Sequence, residues 1–158
     1  MQSTTHHPSP ITHHPRTGTV LAFDFGTKRI GIAVGDFETR LAHPLTTLSH
    51  AENRARFAAI GELIAEWRPA LLVVGLPSRT DGSEHPVGRL ARRFGQRLQG
   101  RFGIATRFVD EHLTSHDAEV SLRGRGARGR RFKEAVDAVA AQRILETFFE
   151  GVTGDQYR

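Results

Sequence analysis

The chain has 158 residues, 38% of them apolar and 25% charged, with no cysteine and a net charge of +5. That length suits one domain with a real core, and the absence of cysteine excludes disulfides and thiolate metal sites. No apolar run reaches a membrane span and no secretory signal core is present. A cytoplasmic protein without a membrane role is expected, and the basic balance favours an anionic partner such as nucleic acid.

Residues 1–17 are rich in Pro, Thr and His and read as a disordered tail. Nothing fixes the geometry of the pairs His6-His7 and His13-His14, so no working metal site is read there. Residues 20–26 (VLAFDFG) form an apolar strand with one acid inside it. The turn Gly26-Thr27-Lys28-Arg29 leads into a second strand, 30–35, and the two read as a hairpin. Alternation puts Ile30, Ile32 and Val34 on one face and Gly31, Ala33 and Gly35 on the other, where something must pack closely.

A third strand is expected near 40–47, and a helix over 51–67 that ends before Pro69. Residues 70–76 (ALLVVGL) are a short continuous apolar run, the pattern of a central strand covered on both faces. A loop from Pro77 to Pro86 precedes a basic helix reaching about residue 99. Residues 104–110 read as another strand, and Thr114 as the N-cap of a short helix, with Asp117 three residues on. A Gly/Arg-rich stretch, 123–131, precedes a last helix over 133–149.

The order β-β-β-α-β-α-β-α-α implies a mixed sheet with helices on both faces. The domain is expected over 18–150, followed by a C-terminal tail, 151–158.

Acids that interrupt apolar segments carry the chemistry. Asp24 sits inside an apolar strand, where an unpaired carboxylate is expensive to bury. It is therefore paired, protonated or metal-bound; the purely structural option is a salt bridge with Lys28 or Arg29. Asp137 shares a helix face with Ala140, Ala141, Ile144 and Phe148, while Gln142, Arg143, Glu146 and Glu150 lie opposite. A favourable helix dipole explains an acid near a helix start, but not its placement on the buried face. Glu111 follows a strand directly, where α/β sheets gather ligands. Asp110 is its rival, and alternation sends the two to opposite faces, so residue patterns alone leave that choice open. Three such acids could converge on hard divalent cations, Mg2+ or Mn2+.

Basic residues supply the substrate side. Between positions 123 and 133, six of eleven residues are cationic: Arg123, Arg125, Arg128, Arg130, Arg131 and Lys133. An arginine-rich loop with interleaved glycines suits backbone phosphates; a solvated charged loop with no partner is the plainer alternative. The turn residues Thr27, Lys28 and Arg29 join this substrate-binding set. Arg89, Arg92, Arg93 and Arg97 fall at helical spacings and either extend the track or only solubilise their helix. His112 and His116, four apart, have the spacing of a zinc pair, but His112 precedes the proposed cap, and phosphate contact or surface exposure fits better.

LAFDFGTKRIGIAVGD, VVGLPSRTDGSEHPVGRLARRFGQRL, VDEHLTSHDAE and VDAVAAQRILETFFE, in this order, resemble the YqgF/RuvX family. The likeness covers roughly residues 18–150. The family comprises pre-16S rRNA nucleases, also described as Holliday-junction-resolvase-like, with an RNase H-like fold. The resemblance implies a five-stranded mixed sheet: strands 1–3 an antiparallel meander, strands 1, 4 and 5 parallel, helices on both faces. It implies that Asp24, Glu111 and Asp137 are the catalytic and metal-binding acids, which decides between Asp110 and Glu111. It further implies divalent metal and cytoplasmic maturation of the small-subunit rRNA precursor in ribosome biogenesis. This chain departs from the family pattern at His112, where Arg is usual, and at Ser115, where Thr is usual. Histidine is mostly neutral at pH 7 and lacks the guanidinium fork, so phosphate binding there becomes weaker or pH-dependent.

The leading expectation is a metal-dependent nuclease acting on structured RNA. One alternative is a resolvase for branched DNA, which calls for a two-fold dimer; monomer and homodimer both stay open. Another is a non-catalytic nucleic-acid-binding module. A third is an actin-like ATPase, whose phosphate loop Asp24-Phe25-Gly26-Thr27 resembles, although the chain has length for only one of the two halves that class needs.

Overall fold

The computed structural model of the chain describes residues 17–49, 52–77, 85–111 and 129–154. Within them run β1 (Thr19–Phe25), β2 (Ile30–Asp36), β3 (Leu41–Leu48), α1 (Asn53–Trp67), β4 (Leu71–Pro77), α2 (Pro86–Phe102), β5 (Thr106–Glu111) and α3 (Gly129–Gly154).

The five strands lie in the order β3-β2-β1-β4-β5. The hairpin β1–β2 and the pair β2–β3 are antiparallel, while β4 runs parallel to both β1 and β5. This is the expected RNase H-like sheet. Side-chain alternation divides the core into two layers. On one face Val20, Ala22, Ala33 and Val73 pack against Ala141, Ile144, Leu145 and Phe148 of α3. On the other, Leu21, Phe23, Ile32 and Val74 meet Phe57 and Ile60 of α1 and Ala91, Phe94 and Leu98 of α2. β4 is covered on both sides, and Leu71 to Val74 are fully buried, as its unbroken apolar run requires.

The small-residue face of β2 is where α3 lies. A Cβ at Gly31 would overlap the backbone carbonyl of Asp137, and one at Gly35 would come within 2.8 Å of Leu145. Opposite Gly31, on β1, is Asp24. The glycine thus lets the helix descend beside the strand acid.

Element ends differ from expectation where packing overrides local signals. α3 starts at Gly129 and reaches Gly154 instead of spanning 133–149. In its first turns Phe132, Ala135, Val136 and Val139 cluster around Ala140, and Thr47 of β3 donates to the Glu134 carbonyl at 2.6 Å. Its last turns continue because Phe149 and Val152 still bury against the sheet layer that holds Phe37. Asp137 is therefore eight residues inside the helix (137 − 129 = 8), beyond the turn where the dipole favours an acid. β5 runs over 106–111 rather than 104–110, so Glu111 is its last residue, in register with Pro77. α2 extends to Phe102 and ends at Gly103, with φ +67°. The predicted helix at Thr114 and both tails' outer residues, 1–16 and 155–158, lie outside the described residues. No helix among the described residues is long and apolar enough to cross a membrane.

Candidate active site

A cleft of about 390 Å³ opens at the carboxyl ends of β1, β4 and β5 and is lined by Asp24, Glu111 and Asp137. Each acid arrives by its own route. Asp24 shares the α3-facing side of β1 with Val20 and Ala22. Glu111 has the parity of Val109, which packs on that same layer. Asp110 has the opposite parity and is exposed. Asp137 comes down from α3 over Gly31.

Glu111 must cross a strand to reach Asp24, because β4 lies between β5 and β1. Neighbouring strands are about 4.8 Å apart, so the reach needs both a long side chain and an open path. Gly75 on β4 provides the path: a Cβ there would lie 2.7 Å from Glu111 Oε2 and would overlap Ile144. A glutamate at the strand end and a glycine on the next strand form one device.

The Asp24 and Glu111 carboxyls act on each other, the contact pushing Asp24 up and Glu111 down. Burial, then the charges of Glu111 and Asp137, push the Asp24 carboxyl well above the usual carboxylate range. Burial also raises Glu111, and its bond to Asp24 opposes that rise. Asp137 is raised by burial but drawn back by Arg29, whose Nε donates to Asp137 Oδ2 at 2.6 Å. Glu134 adds a smaller upward push. The salt bridge that was the structural option for Asp24 is thus made by Asp137, and Asp24 lies against an acid. Among the described residues no three acidic or imidazole side chains already stand as an ion cage. The Arg29 guanidinium offsets part of the like charge there.

Of the predicted substrate-binding residues, Thr27 and Lys28 are exposed on the cleft rim beside Arg29. Lys28, Arg29 and Lys133 meet again around an adjoining pocket of about 420 Å³ with Ser49 and Gly129. Arg131 is exposed on α3 and lines neither cavity. Arg130 lies in α3, its side chain outside the description; His112, Arg123, Arg125 and Arg128 fall outside the described residues, with Ser115, His116 and Asp117.

Sequence reasoning missed three contributors. Gly75 was visible as a glycine within an apolar run, a mark of close approach. His85 lines the cleft and caps α2, its Nδ1 accepting the Val87 N–H at 3.0 Å; Pro86 at the next position was the signal for a helix start. Arg56 is only 2% exposed. It donates to the Gly26 carbonyl at 2.7 Å and lies 5.4 Å from the Phe25 ring centroid, which fixes the turn that carries Thr27 to Arg29. A charge in the first turn of a helix gives no such signal in sequence.

A family model described as "RuvX: Holliday junction resolvase" matches residues 18–151. A protein of Dechloromonas aromatica named "Putative pre-16S rRNA nuclease" is 56% identical over 133 residues, covering 84% of this chain and 91% of that protein. A protein of the same name from Nitrosomonas eutropha is 52% identical over 134 residues, covering 85% of each. Among solved structures, T. thermophilus RuvC in complex with Holliday junction substrate superposes with a TM-score of 0.56 at 19% identity. It covers 87% of this chain and 97% of the other, a likeness of fold.

Proposed function

The chain belongs to the RuvX family, and on that premise we propose that it hydrolyses phosphodiester bonds with divalent metal, in processing the 5′ end of pre-16S rRNA. The relatives' names point to that substrate. The observation that carries the chemistry is the convergence of Asp24, Glu111 and Asp137 in one cleft, with Asp24 driven up by burial and by the other two charges. Such a concentration of like charge works against folding and marks a functional site.

The donor set fits Mg2+ or Mn2+, since hard cations prefer carboxylate oxygens. Asp24 and Glu111, once deprotonated, and Asp137, once it exchanges Arg29, are the residues that would hold one or two ions. An ion held there would supply Lewis-acid activation of water and charge neutralisation at the leaving oxygen. The chain's own residues do the rest. Arg29, freed from Asp137, takes a phosphate oxygen, with Lys28 and Lys133 beside it. Thr27 contributes a hydroxyl at the rim. Cytoplasmic action follows from an rRNA precursor as substrate.

The test is cleavage of precursor 16S rRNA and of a four-way DNA junction, with magnesium, manganese or neither. Metal-dependent shortening of the RNA precursor is expected. Cleavage of the junction alone would move the substrate to branched DNA, and a two-fold dimer in sedimentation would accompany it. Tight binding with no product in either metal would leave a binding module.

A further inference from the structure

The cleft does not end at the acids. Phe25 and Thr27, which line it, also line a second cavity of about 330 Å³ on the other face of the sheet, with Arg56, Leu90, Arg93 and Arg97. Arg97 and Phe57 in turn line a third, of about 670 Å³, with Arg54 and Arg101. The three share walls and form one path, over the β1–β2 turn and along the seam between α1 and α2. Arg93, Arg97 and Arg101 stand four residues apart on α2, a ladder of cations rising about 6 Å per step. Among the described residues no acid lines the second or third cavity.

We infer that this seam is a binding groove for a single polynucleotide strand, holding the substrate beyond its cut. Three observations favour that occupant. The groove is cationic throughout and continuous with the candidate active site, so a strand seated at the acids is led into it. A seam walled by two helices that meet through Phe57 against Phe94 and Phe102 suits one strand better than a duplex. Its wall is also apolar in part: Leu90 is 43% exposed beside the part-buried Phe25. An unpaired base gains from such a surface, and a paired one does not. The groove rests on the nuclease reading only for where the strand is cut; binding itself does not.

The experiment is fluorescence anisotropy of the full chain, without metal, on single-stranded RNA and DNA of increasing length and on duplexes of the same lengths, across a salt series. Arg93 and Arg97 are exposed, so Arg93→Ala/Arg97→Ala folds, and circular dichroism checks it; Arg93→Gln/Arg97→Gln is the second variant. Wild-type affinity should rise with strand length until the groove is filled. Each variant should lose most of that gain, and its slope of log K against log salt should fall by about 0.7 per lost phosphate contact. The RNA and DNA arms identify the strand. Unchanged slopes and length dependence in both variants would overturn the groove, as would an equal loss on duplexes. Failure of rRNA cleavage with the slope change intact would sink the nuclease reading and leave the groove standing.

Discussion

Replacing Asp24 with asparagine should raise stability and remove activity together. The carboxyl's folded pKa is raised by burial and by two like charges. Its stabilising contribution is therefore complete below the unfolded pKa and is lost as pH rises through the folded one. Asp24→Asn, neutral at all pH, should melt near wild type at about pH 4 and increasingly above it toward pH 8, when metal is absent. With magnesium the order should reverse, because only wild type gains an ion. Cleavage should fall on the order of 10³-fold, as expected for losing several kcal/mol of metal-assisted stabilisation. A variant that cleaves at the wild-type rate would remove Asp24 from the site. Arg29 offers a second test at this scale. It competes with any cation for Asp137, so Arg29→Gln should bind magnesium about tenfold more tightly, roughly 1.4 kcal/mol, in calorimetry without nucleic acid. Weaker binding would mean that Arg29 organises Asp137 for the ion instead of competing for it.

The close approach of α3 to the β1–β2 hairpin sets the spacing of the acids. Gly31 is the contact point, since a Cβ there would overlap the Asp137 carbonyl. Gly31→Ala forces helix and sheet apart and should cost about 3 kcal/mol, the upper end of overpacking. In a chain of this size that lowers the melting temperature by roughly 6–12 °C. It should also weaken magnesium binding, because Asp137 is carried away from Asp24 with its helix. A melting temperature within a degree of wild type would show that α3 does not seat on Gly31. Helix extent was only partly legible in the sequence. The Gly/Arg stretch reads as a break, yet Gly129 to Arg131 are helical, continuous with the turn in which Phe132 and Val136 cluster along one side of the helix. A local composition signal yields when a few apolar residues on the next turn can be buried.

For the molecule as a whole, the proposed function sets protons and divalent metal in competition for the same carboxylates. Asp24, Glu111 and Asp137 are all raised, so the competition begins at higher pH than for free carboxylates. Magnesium at about 100 times its dissociation constant should stabilise by about 2.7 kcal/mol, a rise of roughly 5–11 °C in melting temperature. That rise should shrink as pH falls, because the raised carboxyls must give up protons to bind the ion. A pH-independent shift would place the ion elsewhere.

The chain order of the elements, the meander, the doubly covered β4 and the embedded acids Asp24 and Asp137 were all determined by the sequence itself. Alternation and helical periodicity report which way a side chain faces, and an acid on an apolar face is conspicuous. Tertiary structure alone decided what each acid meets. Asp110 and Glu111 are equal as neighbours on a strand; the side occupied by α3, and the gap that Gly75 leaves on β4, select Glu111. Arg29 follows Asp24 closely in the chain and pairs with Asp137, 108 residues away. The reason is that facing is local, set by backbone period, whereas reach depends on register and on what an intervening strand lacks.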